Sequence, residues 1–234
     1  MPAAGRTSAR KTVRKAAERP YHHGDLRRAL IDAALKLVRE EQDWTFSLRE
    51  VARRAGVSHN APYNHFADKD ELLAAVAAAG FESLRARLLP LLDSKGTATE
   101  LLFAGVSTYV ETGVANPALF RLMFGPTLVG AAQRMRPAPM REAGLRARAV
   151  LDEVILRGAR SGEFAIPPAD ERAIKTAMLA IWSVAHGLTT LLIDNLVRIE
   201  APVAELIDGV LRVAMEGLAP RLTPARKPVA RRIA

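Results

Sequence analysis

The chain has 234 residues, no cysteine, 49% apolar residues and a formal net charge of +9. These values exclude a disulfide framework, a thiol nucleophile and a chain disordered throughout; the length suits one large domain, or a small one joined to a larger one. The charge is uneven: residues 1–28 carry +6, residues 221–234 carry +5, and the stretch between them sums to −2. Aromatic residues make up only 5% while Ala, Leu and Arg are abundant, which favours helix over sheet. The basic N-terminus lacks the apolar run and small-residue cleavage site of a signal peptide, so a soluble, cytoplasmic protein is expected.

Apolar residues at Leu26, Ala29, Leu30, Ala33, Ala34, Leu37 and Val38 predict an amphipathic helix, with Asp25 placed to cap it. After a connection over 42–46, Ser47 and Glu50 have the spacing of a capping box. The helix they open buries Leu48, Val51, Ala52 and Ala55 and stops at Gly56. A very short helical stretch is expected over 59–66, capped by Ser58 and carrying Pro62 near its start. Asp68 and Glu71 repeat the capping-box spacing before a helix that runs from Leu72 to Leu88 and is closed by Pro90. A linker over 93–99 leads to a helix through Leu101, Val106, Val110 and Val114 that ends before Asn116-Pro117.

Residues 118–124 form a short apolar turn or helix, and the proline-rich stretch 125–140 is read as a loop. An Arg-rich helix follows over 141–160, with Leu145, Ala149, Val150 (or Ala147), Val154 and Leu156 as core candidates. Residues 167–170 start a long helix whose segment 176–193 holds 18 residues without a formal charge, enough for a membrane-span candidate. Lys175 and Asp194 bound it closely, and neither flank carries an excess of Lys or Arg. A helix buried on most sides, or at a subunit interface, is therefore preferred, and no membrane partner is expected. Val203, Leu206, Ile207, Val210, Leu211, Ala214 and Leu218 give a last amphipathic helix.

Three helices within about 45 residues, with a tight Gly56-Val57-Ser58 turn before the third, form a helix-turn-helix pattern. Its short helix would present His59, Asn60, Tyr63 and Asn64 to a major groove, with Ala55, Val57 and Phe66 as anchors. Tyr63 suits either a phosphate contact or a structural place. Residues 48–76 resemble the DNA-binding region of the TetR family of bacterial transcriptional regulators. The likeness rests on Ala52, Ala55-Gly56-Val57-Ser58, Tyr63, His65-Phe66, Lys69 and Glu71-Leu72-Leu73, and it covers residues 25–80. The resemblance implies base contacts from the turn and short helix, here His59, Asn60 and Asn64, with Ser58 of the turn also among the DNA-binding residues. It also implies phosphate contacts from Ser47, Tyr63, His65 and Lys69.

Trp182, His186 and Gly187 are similar to a Trp-His-Gly signature in the C-terminal domain of one TetR subgroup. That resemblance implies an all-α fold with four parts: a basic arm (1–20), a helix-turn-helix domain (21–80), a helical effector and dimerisation domain (81–220) and a basic tail (221–234). It also implies a homodimer through the last two long helices and a small-molecule pocket. The pocket candidates are Phe103, Tyr109, Phe120, Met123, Phe124, Met178, Trp182 and His186, though aromatic and Met residues at helical spacing also suit an ordinary core. His186 fits either a hydrogen-bonded core or interface position or a ligand contact, and Gly187 a close helix approach. These faces carry no charge cluster, so a mostly hydrophobic effector is expected.

The reading that results is a homodimeric repressor, released from a palindromic DNA operator by a small molecule. The alternative is a DNA-binding regulator whose large domain meets a protein partner. An enzyme is not expected: four of the five histidines lie in the arm or the DNA-binding region, and no metal-spaced cluster or phosphate-cradling loop occurs, so neither metal nor cofactor is implied. Arg6, Arg10, Lys11, Arg14, Lys15 and Arg19 precede the first helix as a DNA-reaching arm, while the C-terminal tail has no assigned role. Deleting residues 1–20 should weaken DNA binding almost uniformly across sequences and flatten the dependence of log K on log salt. An unchanged slope in a salt titration would show that the arm neutralises no phosphate.

Overall fold

A computed structural model describes residues 23–128, 137–198 and 200–216; the arm, the tail, Leu218 and residues 129–136 of the expected loop lie outside the described residues. The described residues form nine α-helices and two short 3₁₀ turns, with no strand among them. The chain is thus all-α, with a helix-turn-helix domain at its N-terminal end and a larger helical domain after it.

Helix α1 (His23–Glu41) buries the predicted stripe except Ala29, which is exposed: Leu30, Ala34, Leu37 and Val38 are fully enclosed. It starts two residues before Asp25, which therefore sits in the first turn and not at the cap. Helix α2 (Leu48–Arg54) has Ser47 as its N-cap, the hydroxyl accepting from the Glu50 N–H at 3.2 Å. Only half of the expected capping box forms, because the Glu50 carboxylate turns to Arg53 one helical turn on, at 2.5 and 2.9 Å. That hydrogen bond, foremost, holds the Glu50 carboxyl below its usual pKa and raises that of Arg53.

Helix α3 (Lys69–Leu88) opens with Asp68 accepting from the Glu71 N–H at 2.8 Å, while Glu71 reaches back to the Ala67 N–H at 2.7 Å. Pro90 does not end the path. After Leu89 the chain continues as the one-turn α4 (Pro90–Asp93). The expected linker over 93–99 is shorter than predicted, since Thr97 and Glu100 form a complete capping box that opens α5 (Ala98–Ala115). Glu163 secures the same helix start from the turn after α7: its carboxylate accepts from the Thr99 N–H at 3.2 Å and from the Ser161 hydroxyl at 3.1 Å. The backbone N–H of Ala98, first among several donors, keeps its pKa below the usual carboxylate range.

Helix α6 (Pro117–Phe124) follows directly. The expected loop 125–140 is cut short at its far end, because α7 (Ala138–Ser161) already includes the buried Met140. The core face of α7 is also different from the predicted one: Leu145 is 52% exposed and Ala149 is exposed, while Ala143, Ala147, Val150, Leu151, Val154 and Ile155 are buried. Helix α8 (Glu171–Ile193), capped by Asp170, is the one described helix long and apolar enough to span a membrane. Only 28% of its apolar window is buried, so it is not enclosed on most sides as expected. Leu179 (55% exposed), Ser183, Gly187 and Leu191 (40% exposed) form an uncovered face. Helix α9 (Val203–Glu216) buries Ile207 and Leu211 against α5 and α8 and leaves Ala214 outside.

The apolar interior is in two clusters. One joins α1, α2 and the first half of α3 to α6 and the start of α7; the other joins the second half of α3 to α5, α7, α8 and α9. The expected boundary at 80/81 therefore falls inside the continuous helix α3. Helices α5 and α8 approach closely at Gly113. An added Cβ there would stand 2.8 Å from Phe120 and closer still to Thr189, both buried. Gly113→Ala gains about 1 kcal/mol of helix propensity but overpacks a site with no room to relax, a cost of about 1–3 kcal/mol. A net loss of stability is expected in urea unfolding. Gly144→Ala is the control: its Cβ would meet Phe81 at an ordinary 3.5 Å and should be neutral or stabilising.

Candidate functional site

The segment after α2, the candidate DNA-contacting element, begins with a reversal of the chain. Gly56 takes the left-handed φ of 70°, its N–H bonding the Arg53 carbonyl, and the Val57 N–H bonds the Ala52 carbonyl at 3.0 Å. This is the Schellman arrangement, which needs a residue without Cβ strain at Gly56. The stretch predicted as a short helix over 59–66 is instead a 3₁₀ turn, Ala61–Asn64, with Asn60 and not Ser58 as its N-cap. Pro62 explains the change. It has no N–H for an α-helical bond, while its carbonyl receives the N–H groups of both His65 and Phe66 at 3.0 and 2.9 Å.

Pro62 and Phe66 (1% exposed) fasten the turn to the first cluster. Ser58, His59, Asn60, Tyr63 and Asn64 are all exposed on it, Tyr63 at 53%. Ser47 is exposed too; its oxygen is engaged as a cap, which leaves its O–H free to donate outward. Lys69 is half-buried with its ammonium 5.4 Å over the Phe46 ring, and His65 is half-buried beside Phe66 in the chain. One residue the pattern reading did not single out is Arg27 of α1, whose guanidinium lies 5.1 Å over the Phe66 ring. In sequence it was only one more positive charge.

The second site is a cavity of about 300 Å³ formed between α3, α5, α6, α7 and α8 and partly open to solvent. Phe81, Leu84 and Leu88 line it from α3, Tyr109 from α5, Phe124 from α6, and Met178 and Trp182 from α8. The α7 wall supplies Met140, Gly144, Ala147 and Leu151 together with the more exposed Arg141, Leu145 and Arg148. Of the eight pocket candidates, Tyr109, Phe124, Met178 and Trp182 line this cavity. Phe120 and Met123 line a small recess beside it, His186 sits behind Tyr109, and Phe103 faces Arg212 of α9 instead. The α7 residues were missed because their helix carried no aromatic to mark the face.

Trp182 and His186, one turn apart on α8, meet at a single hydroxyl. Trp182 Nε1–H donates to the Tyr109 oxygen at 3.3 Å, and that hydroxyl is 2.9 Å from His186 Nδ1, to which it donates when the imidazole carries its proton on Nε2. His186 also stacks on Phe120 at 5.3 Å and meets the edge of Phe124 at 5.0 Å. Gly187 is on the opposite, uncovered side, and among the described residues nothing outside its own helix backbone and chain neighbours lies within 4 Å of where its Cβ would be. The close helix approach expected there is therefore not made among the described residues.

A helix-turn-helix on a small helical domain beside a larger helical domain with an apolar cavity is the organisation of a DNA-binding transcriptional regulator. Residues 30–76 match the family model for bacterial regulatory proteins of the tetR family, and residues 102–214 match that for the tetracyclin repressor-like C-terminal domain. The chain belongs to the TetR family of transcriptional regulators. An uncharacterized HTH-type transcriptional regulator of Haemophilus influenzae is 36% identical over 120 residues, which are 50% of this chain and 57% of that relative's length. A protein of unknown function from Rhodococcus sp. RHA1 is 32% identical with a TM-score of 0.68, over 87% of this chain and 100% of that one. The Bacillus subtilis regulator FadR, solved in complex with stearoyl-CoA, is 20% identical with a TM-score of 0.64, covering 82% and 99%; that likeness shows the fold alone.

Replacing Tyr109 by Phe keeps the ring and removes the shared hydroxyl. Stability should fall by about 1–2 kcal/mol in urea unfolding, and the Trp182 emission should shift. Unchanged stability and emission would mean that the Trp182–Tyr109–His186 contact has no structural weight.

Proposed function

We infer that the protein is a cytoplasmic, homodimeric repressor that binds a palindromic operator and is released by a small, mostly hydrophobic effector. The observation that carries this reading is the position of α3, which starts just after the reading turn and ends as a wall of the cavity. A ligand seated against Phe81, Leu84 and Leu88 acts on the same rigid helix that Leu72, Leu73 and Val76 anchor in the first cluster. Ligand and operator then favour different positions of α3, and each shifts the population away from the other. The apolar lining of a concave cavity set between five helices favours a small molecule over a protein partner. The FadR neighbour, solved with stearoyl-CoA, lends support to an apolar ligand in this fold. The chemistry is binding rather than catalysis, and it needs no metal or cofactor.

On the DNA side, Ser58, His59, Asn60 and Asn64 read bases, while Ser47, Tyr63, His65 and Lys69 hold phosphates. Arg27 is a further candidate for the phosphate set. The uncovered face of α8, with Val213 (48% exposed) and Gly209 of α9, pairs with the same face of a second copy. This two-fold contact would set the two reading turns one helical repeat, or a multiple of it, apart. The segments 21–80 and 81–220 act as the reading and sensing parts, with α3 common to both.

Selection of duplexes from a random pool should return an inverted repeat, protected symmetrically in footprinting by a protein that sediments as a dimer. Leu179→Glu places a charge in the α8 face and should yield monomers with operator affinity reduced about tenfold or more. A non-repeating site, or a Leu179→Glu protein that is still dimeric and binds normally, would overturn this arrangement.

A further inference from the structure

We propose that the effector is an amphipathic anion, a medium-length apolar chain with a negatively charged head held by Arg141 and Arg148 at the α7 rim of the cavity. The inference rests on the reading of the cavity as the effector site and names the ligand class it takes.

Three observations lead there. The residues lining the cavity include two guanidinium groups and no carboxylate. Arg141 and Arg148 are seven residues apart, so they share one face of α7 about 10 Å apart along its axis. Both side chains stand on the solvent side of the wall, where a head group can stay hydrated while its chain is enclosed. Arg148 makes one exposed bond to Asp152, at 3.3 Å, a kind of pair too weak to compete with a buried-tail ligand. Arg141 has no ion pair with any described residue. The neighbouring acid on α3, Glu82, is engaged by Arg146 at 2.6 Å.

The inner end of the chamber makes the opposite demand. Its polar atoms belong to Tyr109 and Trp182, and these bond to each other and to His186. A polar group buried there would displace bonds already made, so the inner end favours hydrocarbon. Apolar depth and a cationic rim together select a ligand with one charged end. A volume of about 300 Å³ lies at the small end of ligand cavities, which suits a medium-length chain.

The full-length protein is titrated by calorimetry with dodecanoate, dodecanol, dodecyltrimethylammonium and dodecanoyl-CoA. Dodecanoate should bind about tenfold or more tightly than dodecanol, and the cationic probe should bind most weakly. In Arg141→Gln/Arg148→Gln the acid should fall to the affinity of the alcohol. Dodecanol should bind as before, which also shows that the variant is folded. Lys at both positions should restore part of the preference. Tighter binding of dodecanoyl-CoA than of dodecanoate would assign the head to the phosphates of a carrier thioester; the reverse order would assign it to a free carboxylate. Equal binding of acid and alcohol, or a preference that survives the double Gln variant, overturns the head-group assignment and leaves the cavity as an effector site. Failure of every dodecyl probe to bind the wild-type protein overturns the cavity reading itself, and this inference with it.

Discussion

One helix has to satisfy two interiors at once, and most of the architecture follows from that requirement. The first half of α3 is buried with α1 and α2, and its second half is buried with α5 and α7. Between the halves it crosses α6 at Gly80, where a Cβ would stand 2.7 Å from the Met123 sulfur. A 20-residue helix is about 30 Å of stiff rod, and a close-packed interior does not absorb displacement by compressing. Gly80 thus allows α3 and α6 to pack closely at the point where the two interiors meet.

The cavity is organised around a hydroxyl rather than a charge. Tyr109 ties α5 to α8 through the two signature residues Trp182 and His186, and Phe124 of α6 touches the rings of Phe81, Tyr109, Phe120, Trp182 and His186. Arg121, also on α6, donates to the Ile193 carbonyl at 2.9 Å and to Asp194 at 2.6 Å, fastening the end of α8 to the same short helix. Helix α6 is only eight residues long, yet it touches both clusters and the chamber.

What the sequence made legible was local and periodic. The α1 stripe, the Gly56 turn, the exposed polar set from Ser58 to Asn64 and the buried Phe66 could be read because each depends on spacing within a few residues. The errors arose where a second partner competed. Arg53 drew Glu50 out of its capping box, and Pro62 turned an expected helix into a 3₁₀ turn. On α7 two helical stripes were available, and contacts with α3 chose the one through Ala143, Ala147 and Leu151 over Leu145 and Ala149. The chamber was half legible: its aromatics announced themselves, whereas Arg141, Gly144 and Arg148 join them only because α7 packs across α3. Phe103 had the right chemistry on the wrong side of α5.

The 3₁₀ turn that carries Asn60 and Tyr63 has little stability of its own. It is four residues long, contains a proline, and owes its shape to Pro62 and Phe66 in the core. Its order is therefore a property of the hydrophobic interior and not of the polar surface it presents. A genetic screen for lost operator binding would return interior positions alongside the exposed ones, and such alleles would be temperature-sensitive where contact alleles are not. Heat and mutation would silence the protein by the same route, by loosening a turn that only the core keeps in place.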